Sequence, residues 1–227
     1  MGKALAKAFS LILSGDAYLM GIISTTLRMS LSSSAISLIL GMPLGVALAL
    51  ARFPGKKAVS TLLRTLMGLP PVAVGIGIYI LFSGTGPFGS LGLIYSVELM
   101  IIAQVVLITP IVAGMAEMYV SQISEQFLDS AKGVRLNRGK VFALAINESR
   151  FQMIAIYLFA FARAMAEVGA VQIVGGNILN KTRVMTTTIA LNYNTGKFEY
   201  AVALGLILLF MVLIVNCVAS LIQEKLK

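Results

Sequence analysis

Five long apolar stretches constrain the fold of this chain more than any other feature of its sequence. Crossing the roughly 30 Å hydrocarbon layer of a membrane takes about 20 apolar residues in helical form. We predict membrane-spanning helices at about 21–50, 68–82, 100–120, 151–174 and 201–220. The chain is 58% hydrophobic and only 12% charged, with a mean hydropathy of +0.93, so lipid is its expected solvent. The sequence therefore predicts an all-α, polytopic membrane protein.

The first sixteen residues carry Lys3 and Lys7 ahead of a short apolar run at 9–13. This order superficially resembles a signal peptide, but no small-x-small cleavage site follows, and a long hydrophobic segment begins soon afterwards. We expect an N-terminal interfacial helix instead. The second predicted span is short, and Pro70 and Pro71 predict a kink at its start.

Several functional classes are disfavoured by composition. Cys217 is the single cysteine, and the chain has no histidine and no tryptophan. An intrachain disulfide is thus excluded, and we expect no cofactor, no metal site and no catalytic chemistry. The formal charge of +9 would suggest nucleic acid as a partner in a soluble protein, but here the basic residues can be assigned to membrane topology. We expect no nucleic-acid binding.

Basic residues predict the orientation of the chain. They cluster in three regions: Arg52, Lys56, Lys57 and Arg64; Lys132, Arg135, Arg138, Lys140 and Arg150; and Lys225 with Lys227. The loop 83–96 has none, so the positive-inside bias makes it external and the three clusters cytoplasmic. We predict an inner-membrane, multi-pass protein with its N-terminus outside and its C-terminus in the cytoplasm. The outer segment 175–200 is an exception, because it carries Lys181, Arg183 and Lys197.

Two glycine patterns mimic nucleotide-binding loops. Between Gly133 and Gly139 lie five residues rather than four, and Val141 follows Lys140 where a metal-coordinating Ser or Thr is required. The glycines at 84, 86 and 89 follow a predicted membrane helix rather than a strand. If ATP drives this protein, another polypeptide must bind it.

The polar segment 123–150 indicates an amphipathic helix between the third and fourth spans, with Phe127, Ala131 and Phe142 among charged residues. A solvated connector and a docking element both remain open on composition alone. The order of Asp129, Ser130 and Ala131, followed by Gly133, resembles the cytoplasmic coupling loop of ABC importer permeases. Arg135 stands where that loop usually has a glycine.

Further blocks resemble the tungstate permease family, which is related to molybdate and sulfate permeases. They lie at 66–75, 86–92, 102–106 and, most specifically, 163–190, which includes Arg163, Glu167, the Gly175-Gly176-Asn177 run and a Thr-Arg-Val run at 182–184. The resemblance implies a single permease domain over 1–227 with a type I ABC importer permease fold, working as a homodimer in lipid. It also implies a separate ATP-binding cassette ATPase and an extracytoplasmic tungstate-binding receptor. The implied ATPase-coupling residues are Asp129, Ser130, Ala131, Gly133, Arg135, Asn137 and Arg138, in a loop at about 122–150.

Arg163 and Glu167 are ionisable residues inside the fourth predicted span, four positions apart and so on one helix face. A charge at that depth costs at least about 2.5–3.5 kcal/mol, so both must pair or meet water. A structural ion pair and an outer gate beside the translocation path both remain open. Gln104 is an uncharged candidate for lining the path. Glu117 is expected at the cytoplasmic interface, partly hydrated.

The Gly175, Gly176 and Asn177 run has two readings. Glycine-rich turns often present backbone amides to anions, which would place this run on the path. A plain helix terminus uses the same residue types. The sequence thus predicts a tungstate importer permease, with a molybdate or sulfate permease, or a self-sufficient secondary anion carrier, as the alternatives.

Overall fold

The computed structural model describes residues 6, 8, 10, 13–133 and 138–225, without the side chains at 123–138, 219 and 222–225. Its α-helices are α1 (Ala17–Leu50), α2 (Lys56–Leu66), α3 (Pro71–Phe82), α4 (Val97–Gly133), α5 (Arg138–Glu148), α6 (Arg150–Met165), α7 (Gly169–Gly175), α8 (Met185–Asn194) and α9 (Phe198–Lys225). A single 3₁₀ turn, Gly89–Leu91, interrupts the loop before α4. These described residues contain no strand, which confirms the all-α class. The predicted N-terminal interfacial helix lies largely outside the described residues.

Three helices are long and apolar enough to cross a membrane unaided: Ala17–Leu50, Val97–Gln122 and Phe198–Val218. Two bent pairs also pass this test when each is taken together, α2 with α3 and α6 with α7. The described residues therefore hold three candidate spans, or up to five if each pair is one span. At least three candidate spans agree with the prediction, and the count of five stays a prediction.

The bend between α2 and α3 is 93°. Pro70 is extended, and Pro71 is the first residue of α3. Proline lacks an N–H and disfavours helical geometry in the residue before it, but is well suited to begin a helix. The kink that the sequence predicts is therefore a full break between two helices.

The fourth predicted span is also broken, with a 58° bend between α6 and α7. No proline signals this break. Glycines bring α7 against α3: a Cβ on Gly75 would lie 2.8 Å from the Ala170 Cα, and one on Gly169 would lie 2.8 Å from Val72 Cγ2. The expectation of one uninterrupted helix over 151–174 is wrong, because close packing on α3 requires α7 to leave the axis of α6.

Helices α1 and α4 form the centre of the bundle through small residues. Ser33, Ser37, Gly41 and Gly45 are buried on α1. A Cβ on Gly41 would lie 2.8 Å from the Thr109 carbonyl oxygen of α4, and one on Gly45 would overlap the Ala113 carbonyl. The two backbones thus approach as closely as small-x-x-x-small patterns allow.

The core surrounds α4. Within the most apolar window of each spanning helix, 61% of α4 is buried, against 44% of α1 and 22% of α9. Helix α4 continues past the predicted end of the third span at 120 and reaches Gly133. The segment 123–150, predicted to be helical, is accordingly helical at 123–133 and 138–148.

Candidate translocation site

The break between α6 and α7 carries an ion pair. Arg163 lies in the last turn of α6, and its Nη1 is 2.7 Å from Oε2 of Glu167, which lies in the break itself. The Glu167 side chain is 4% exposed and that of Arg163 is 31% exposed. A buried carboxylate in a membrane protein is stable only when it is paired, and the sequence-based expectation that these two residues pair or meet water agrees with this geometry.

Glu167 also joins three helices. Its Oε1 accepts a hydrogen bond of 3.1 Å from the backbone N–H of Ala170 in the first turn of α7. Its own carbonyl oxygen accepts one of 2.8 Å from the Thr186 hydroxyl of α8. Each carboxylate oxygen therefore has a donor, and the bend is fixed by charge-assisted hydrogen bonds from both sides.

Gln104 is fully buried on α4, beside this break. Its Nε2 donates to the Ala164 carbonyl at 2.8 Å, and its Oε1 accepts from the Ser33 hydroxyl at 2.6 Å. The N–H of Glu167 donates to the same Ala164 carbonyl at 3.3 Å. Gln104 thus connects α1, α4 and the end of α6. Its predicted role in lining a path stays a prediction.

The Gly175-Gly176-Asn177 run forms the turn that ends α7. Gly176 and Asn177 have φ angles of 67° and 50°, and the Gly176 N–H donates to the Gln172 carbonyl at 2.9 Å. The Thr182 hydroxyl donates to the Gly175 carbonyl. This is the geometry of a helix terminus. The Gly176 amide is already bonded, and the proposal that this run binds an anion stays a prediction.

Tyr95 covers the turn. A Cβ on Gly176 would lie 2.7 Å from Tyr95 Cδ1, and the Tyr95 N–H donates to the Val174 carbonyl at 3.0 Å. A hydrogen bond with Tyr79 raises the pKa of the Tyr95 phenol above its usual value.

Arg183 is a residue of this region for which sequence reasoning gave no role. Its Nε donates to Asn177 Oδ1 at 3.2 Å, and its Nη2 donates to the Asn177 carbonyl at 3.1 Å. Its Nη1 donates to the Tyr18 hydroxyl at 3.1 Å. The signal in the sequence was its presence in the segment 175–200, which was predicted to be external and which the positive-inside bias should therefore leave without basic residues.

A cavity of about 810 Å³ opens beside Arg183. Its lining includes Tyr18, Asn192, Lys197 and the carboxylate of Glu199. Two cations, one acidic residue and several hydrogen-bond donors therefore line this space. Among the described residues, no group of three or more Cys, Asp or Glu side chains could hold a metal ion.

A second buried carboxylate, Glu117 of α4, lies in another part of the molecule. Glu117 is 3% exposed; Ser60 donates to its Oε1 at 3.2 Å, and Arg64 Nη2 is 3.4 Å from its Oε2. The expectation of a partly hydrated carboxylate is therefore wrong. Helix α2 turns back from the 93° bend and covers this side chain.

The implied coupling residues that the structure describes lie at the end of α4 and at the start of α5. Asp129, Ser130, Ala131 and Gly133 lie in the last turns of α4, and Arg138 begins α5, with their side chains outside the description. Arg135 and Asn137 lie outside the described residues. Their role in coupling stays a prediction.

Comparison with known proteins gives a consistent result. Residues 41–227 match the family model described as "Binding-protein-dependent transport system inner membrane component". The chain is 34% identical to the tungstate uptake system permease protein TupB of Peptoclostridium acidaminophilum, over 99% of both chains. It is 33% identical to a probable anion ABC transporter permease protein of Haloferax volcanii, over 92% of both chains.

The fold is similar to a solved structure as well. A crystal structure of a bacterial ABC transporter that imports the acidic polysaccharide alginate matches with a TM-score of 0.73 and 18% identity, covering 99% of this chain and 87% of that one. This likeness confirms the predicted ABC importer permease fold. The family model and the two relatives confirm the resemblance stated from the sequence. The chain belongs to the family of binding-protein-dependent transport system inner membrane components.

Proposed function

We propose that this chain is the membrane-spanning permease subunit of an ABC importer that takes up tungstate. The observation that carries this proposal is the full-length similarity to the TupB permease, with 34% identity over 99% of both chains. The relatives are transport subunits, and the nucleotide-loop patterns of this chain lack the residues that hold a phosphate-bound metal. ATP hydrolysis is therefore assigned to a separate ATPase subunit.

The proposed assembly is a homodimer in which each copy docks one ATPase through the segment at about 122–150. The coupling positions Asp129, Ser130, Ala131, Gly133 and Arg138 support this, because they lie at the junction of α4 and α5. An external receptor delivers the oxyanion. The N-terminus lies outside and the C-terminus in the cytoplasm, as the distribution of basic residues favours.

The cavity beside Arg183 supports import of an anion in this proposal. Arg183 and Lys197 line it, and cations at the mouth of a low-dielectric path raise the local concentration of an anionic substrate. Glu167 and Arg163 form the adjacent gate in this proposal: the closed pair blocks the path, and separation of the pair frees the guanidinium for an oxyanion. The bond from Thr186 to the Glu167 carbonyl couples the gate to α8.

Tungsten accumulation in cells that lack the chain, measured by mass spectrometry of the metal, tests the cargo. Deletion should abolish uptake from scarce tungstate, and complementation should restore it, with excess sulfate having little effect on the restored uptake. If sulfate or molybdate competes fully, or if their uptake is what deletion abolishes, the cargo assignment is wrong and the importer assignment stands.

Purification of the tagged chain from its native membrane tests the mechanism. An ATPase subunit should co-purify, and vesicles containing the complex should take up anion only when ATP is present on the ATPase side. Anion transport by the chain alone, with no ATPase attached, would support the secondary carrier instead.

A further inference from the structure

Gln104 of α4 is bonded to two other helices through the two ends of its amide. Its side chain is fully buried. Nε2 donates to the Ala164 carbonyl of α6 at 2.8 Å, and Oε1 accepts from the Ser33 hydroxyl of α1 at 2.6 Å. Because a carbonyl can only accept, the NH₂ end must face Ala164, and the oxygen is left for the Ser33 hydroxyl. The amide therefore has one orientation in the bundle.

The acceptor of this bond lies at the break between α6 and α7. Ala164 follows Arg163, in the last turn of α6. Carbonyl groups there lack the N–H donor that a continuing helix supplies four residues later. The N–H of Glu167 reaches the Ala164 carbonyl at 3.3 Å, a longer hydrogen bond than the one from Gln104. Gln104 thus makes the shorter hydrogen bond at the point where α6 ends, between the two residues of the ion pair.

Neighbouring hydroxyl groups are not bonded in the same way. Ser37 lies one turn after Ser33 on α1, and Thr109 lies five residues after Gln104 on α4. Both hydroxyl oxygens are buried, and neither has a hydrogen-bond partner in the described part of the chain. The contacts of Gln104 are therefore specific to this residue, and the two hydroxyls provide matched controls for them.

Helices α1 and α4 have a fixed register. Gly41 and Gly45 of α1 lie where a Cβ would meet carbonyl oxygens of α4. Sliding α1 by one turn would bring Ser37 to the position of Gly41 or, in the opposite direction, Ala49 to the position of Gly45. Either residue carries a Cβ for which there is no room. The two helices therefore act as one body, and Gln104 bonds this body to the end of α6.

We propose that Gln104 is a positioning residue for the gate formed by Arg163 and Glu167. Its amide holds the Ala164 carbonyl, and with it the break between α6 and α7, against the body formed by α1 and α4. Gln104 acts without touching the transported anion, since its side chain is buried and both ends of its amide are bonded. Ser33 supports it by fixing the orientation of the amide. This inference rests on the proposed function, which assigns the ion pair to a gate.

Hydrogen–deuterium exchange of the purified full chain in detergent tests the hold on the break, whatever the cargo. Gln104→Met keeps the length of the side chain and removes its donor and its acceptor. The amides of residues 166–170 should then exchange about fivefold faster, because their support loses a buried hydrogen bond, while those of α9 should be unchanged. Thr109→Val removes an unpartnered hydroxyl from the same helix and should change neither region. Unchanged exchange at 166–170 in Gln104→Met, or equally faster exchange in α9, would overturn the proposal.

Paired uptake and ATPase assays on the complex in vesicles test the role in the gate. Gln104→Met should lower tungstate uptake per ATP hydrolysed about fivefold, and Ser33→Ala about twofold, because each loosens the position of the gate. Ser37→Ala, one turn along α1, should leave this ratio unchanged. An unchanged ratio in Gln104→Met would overturn the positioning role even if exchange at 166–170 is faster.

A further control separates positioning from loss of stability. Ser60→Ala removes a hydrogen bond to the buried carboxylate of Glu117, in another part of the bundle, and should leave uptake per ATP unchanged. A fall as large as that of Gln104→Met would assign the effect to stability and overturn the proposal. Failure of the proposed function would be seen earlier, as an absence of ATP-dependent tungstate uptake by the unmodified complex.

Discussion

The two buried carboxylates of this bundle differ in how their partners are arranged. Glu167 binds an arginine four residues before it and an amide three residues after it, all at one helix break. Glu117 lies inside the unbroken α4, and its partners Arg64 and Ser60 come from α2, more than fifty residues earlier. The first carboxylate fixes a bend within one segment, whereas the second attaches one helix to another.

The strength of the two pairs differs as well. Arg163 approaches Glu167 to 2.7 Å with 31% of its side chain exposed, while Arg64 remains 3.4 Å from Glu117 and is 57% exposed. Solvent screening weakens the second pair more than the first. A bend within a membrane helix thus has the stronger electrostatic support, and the attachment of α2 has the weaker.

Removal of the two arginines should give the largest contrast. Arg163→Ala leaves the buried Glu167 carboxylate without its cation, and we expect a loss of about 2–3 kcal/mol in the free energy of unfolding, below the 3–5 kcal/mol of a fully buried pair. Arg64→Ala should cost about 1 kcal/mol, because Arg64 is more exposed. Denaturant unfolding in detergent micelles measures both.

A double variant provides the control for this contrast. Arg163→Ala/Glu167→Gln removes the unpaired charge and should regain part of the stability lost in Arg163→Ala. Equal losses for Arg163→Ala and Arg64→Ala would show that the two carboxylates depend on their arginines to the same extent, and the comparison would fail.

Neutralising each carboxylate in turn should show whether Glu167 acts in the proposed gate while Glu117 is only a structural contact. Glu167→Gln keeps an oxygen for the Ala170 N–H but loses the charge that holds Arg163. We expect uptake per ATP hydrolysed to fall about tenfold, which corresponds to about 1.4 kcal/mol in the balance of gate states. Glu117→Gln should leave this ratio within about twofold of the unmodified value. The measurement is paired uptake and ATPase assays in reconstituted vesicles; unchanged coupling in Glu167→Gln would remove Glu167 from the gate.

Removing the hydroxyl donors of Thr186 and Ser60 should have a smaller effect on stability. Thr186→Val removes the bond to the Glu167 carbonyl, and Ser60→Ala removes the bond to the Glu117 carboxylate. Each should cost about 1 kcal/mol of unfolding free energy, with Ser60→Ala the costlier because its acceptor is charged. Thermal unfolding of the two variants in the same detergent compares them directly, and a larger loss for Thr186→Val would reverse the expected order.

Breaking the exposed pair of Arg28 and Glu98 should have the smallest effect on the free energy of unfolding. Their contact is 3.3 Å, but the side chains are 66% and 56% exposed, so Arg28→Ala should change the free energy of unfolding by less than about 0.5 kcal/mol. A loss comparable with that of Arg64→Ala would mean that burial of the carboxylate does not determine the cost. Unfolding at low and high salt is the measurement.

The sequence predicted the Arg163–Glu167 pair but not the Arg64–Glu117 pair, for a physical reason. A spacing of four on a helix is visible in the sequence, so Arg163 and Glu167 could be paired without a structure. Nothing local links Glu117 to Ser60, because their contact depends on the 93° bend that returns α2 to α4. Long-range contacts in a bundle follow from packing rather than from periodicity.

The two helix breaks show the same limit of prediction from local sequence. Pro70 and Pro71 make the break before α3 predictable from the sequence, because the missing N–H of a proline acts locally. The break at Glu167 has no such signal, because it follows from the contact of Gly169 and Ala170 with α3. The apolar segments were predictable from the sequence, whereas the side-chain contacts of Arg183 required the fold.

The length of α4 has a mechanical consequence. Its 37 residues rise about 55 Å at 1.5 Å per residue, well beyond the roughly 30 Å of hydrocarbon. Helix α4 therefore reaches from Glu98, beside α1, to the turns that contain Asp129. If it tilts by about 10° around its midpoint, each end is displaced by about 5 Å in opposite directions. Leverage of this kind would let a small rotation at one end of α4 produce a displacement at the other end.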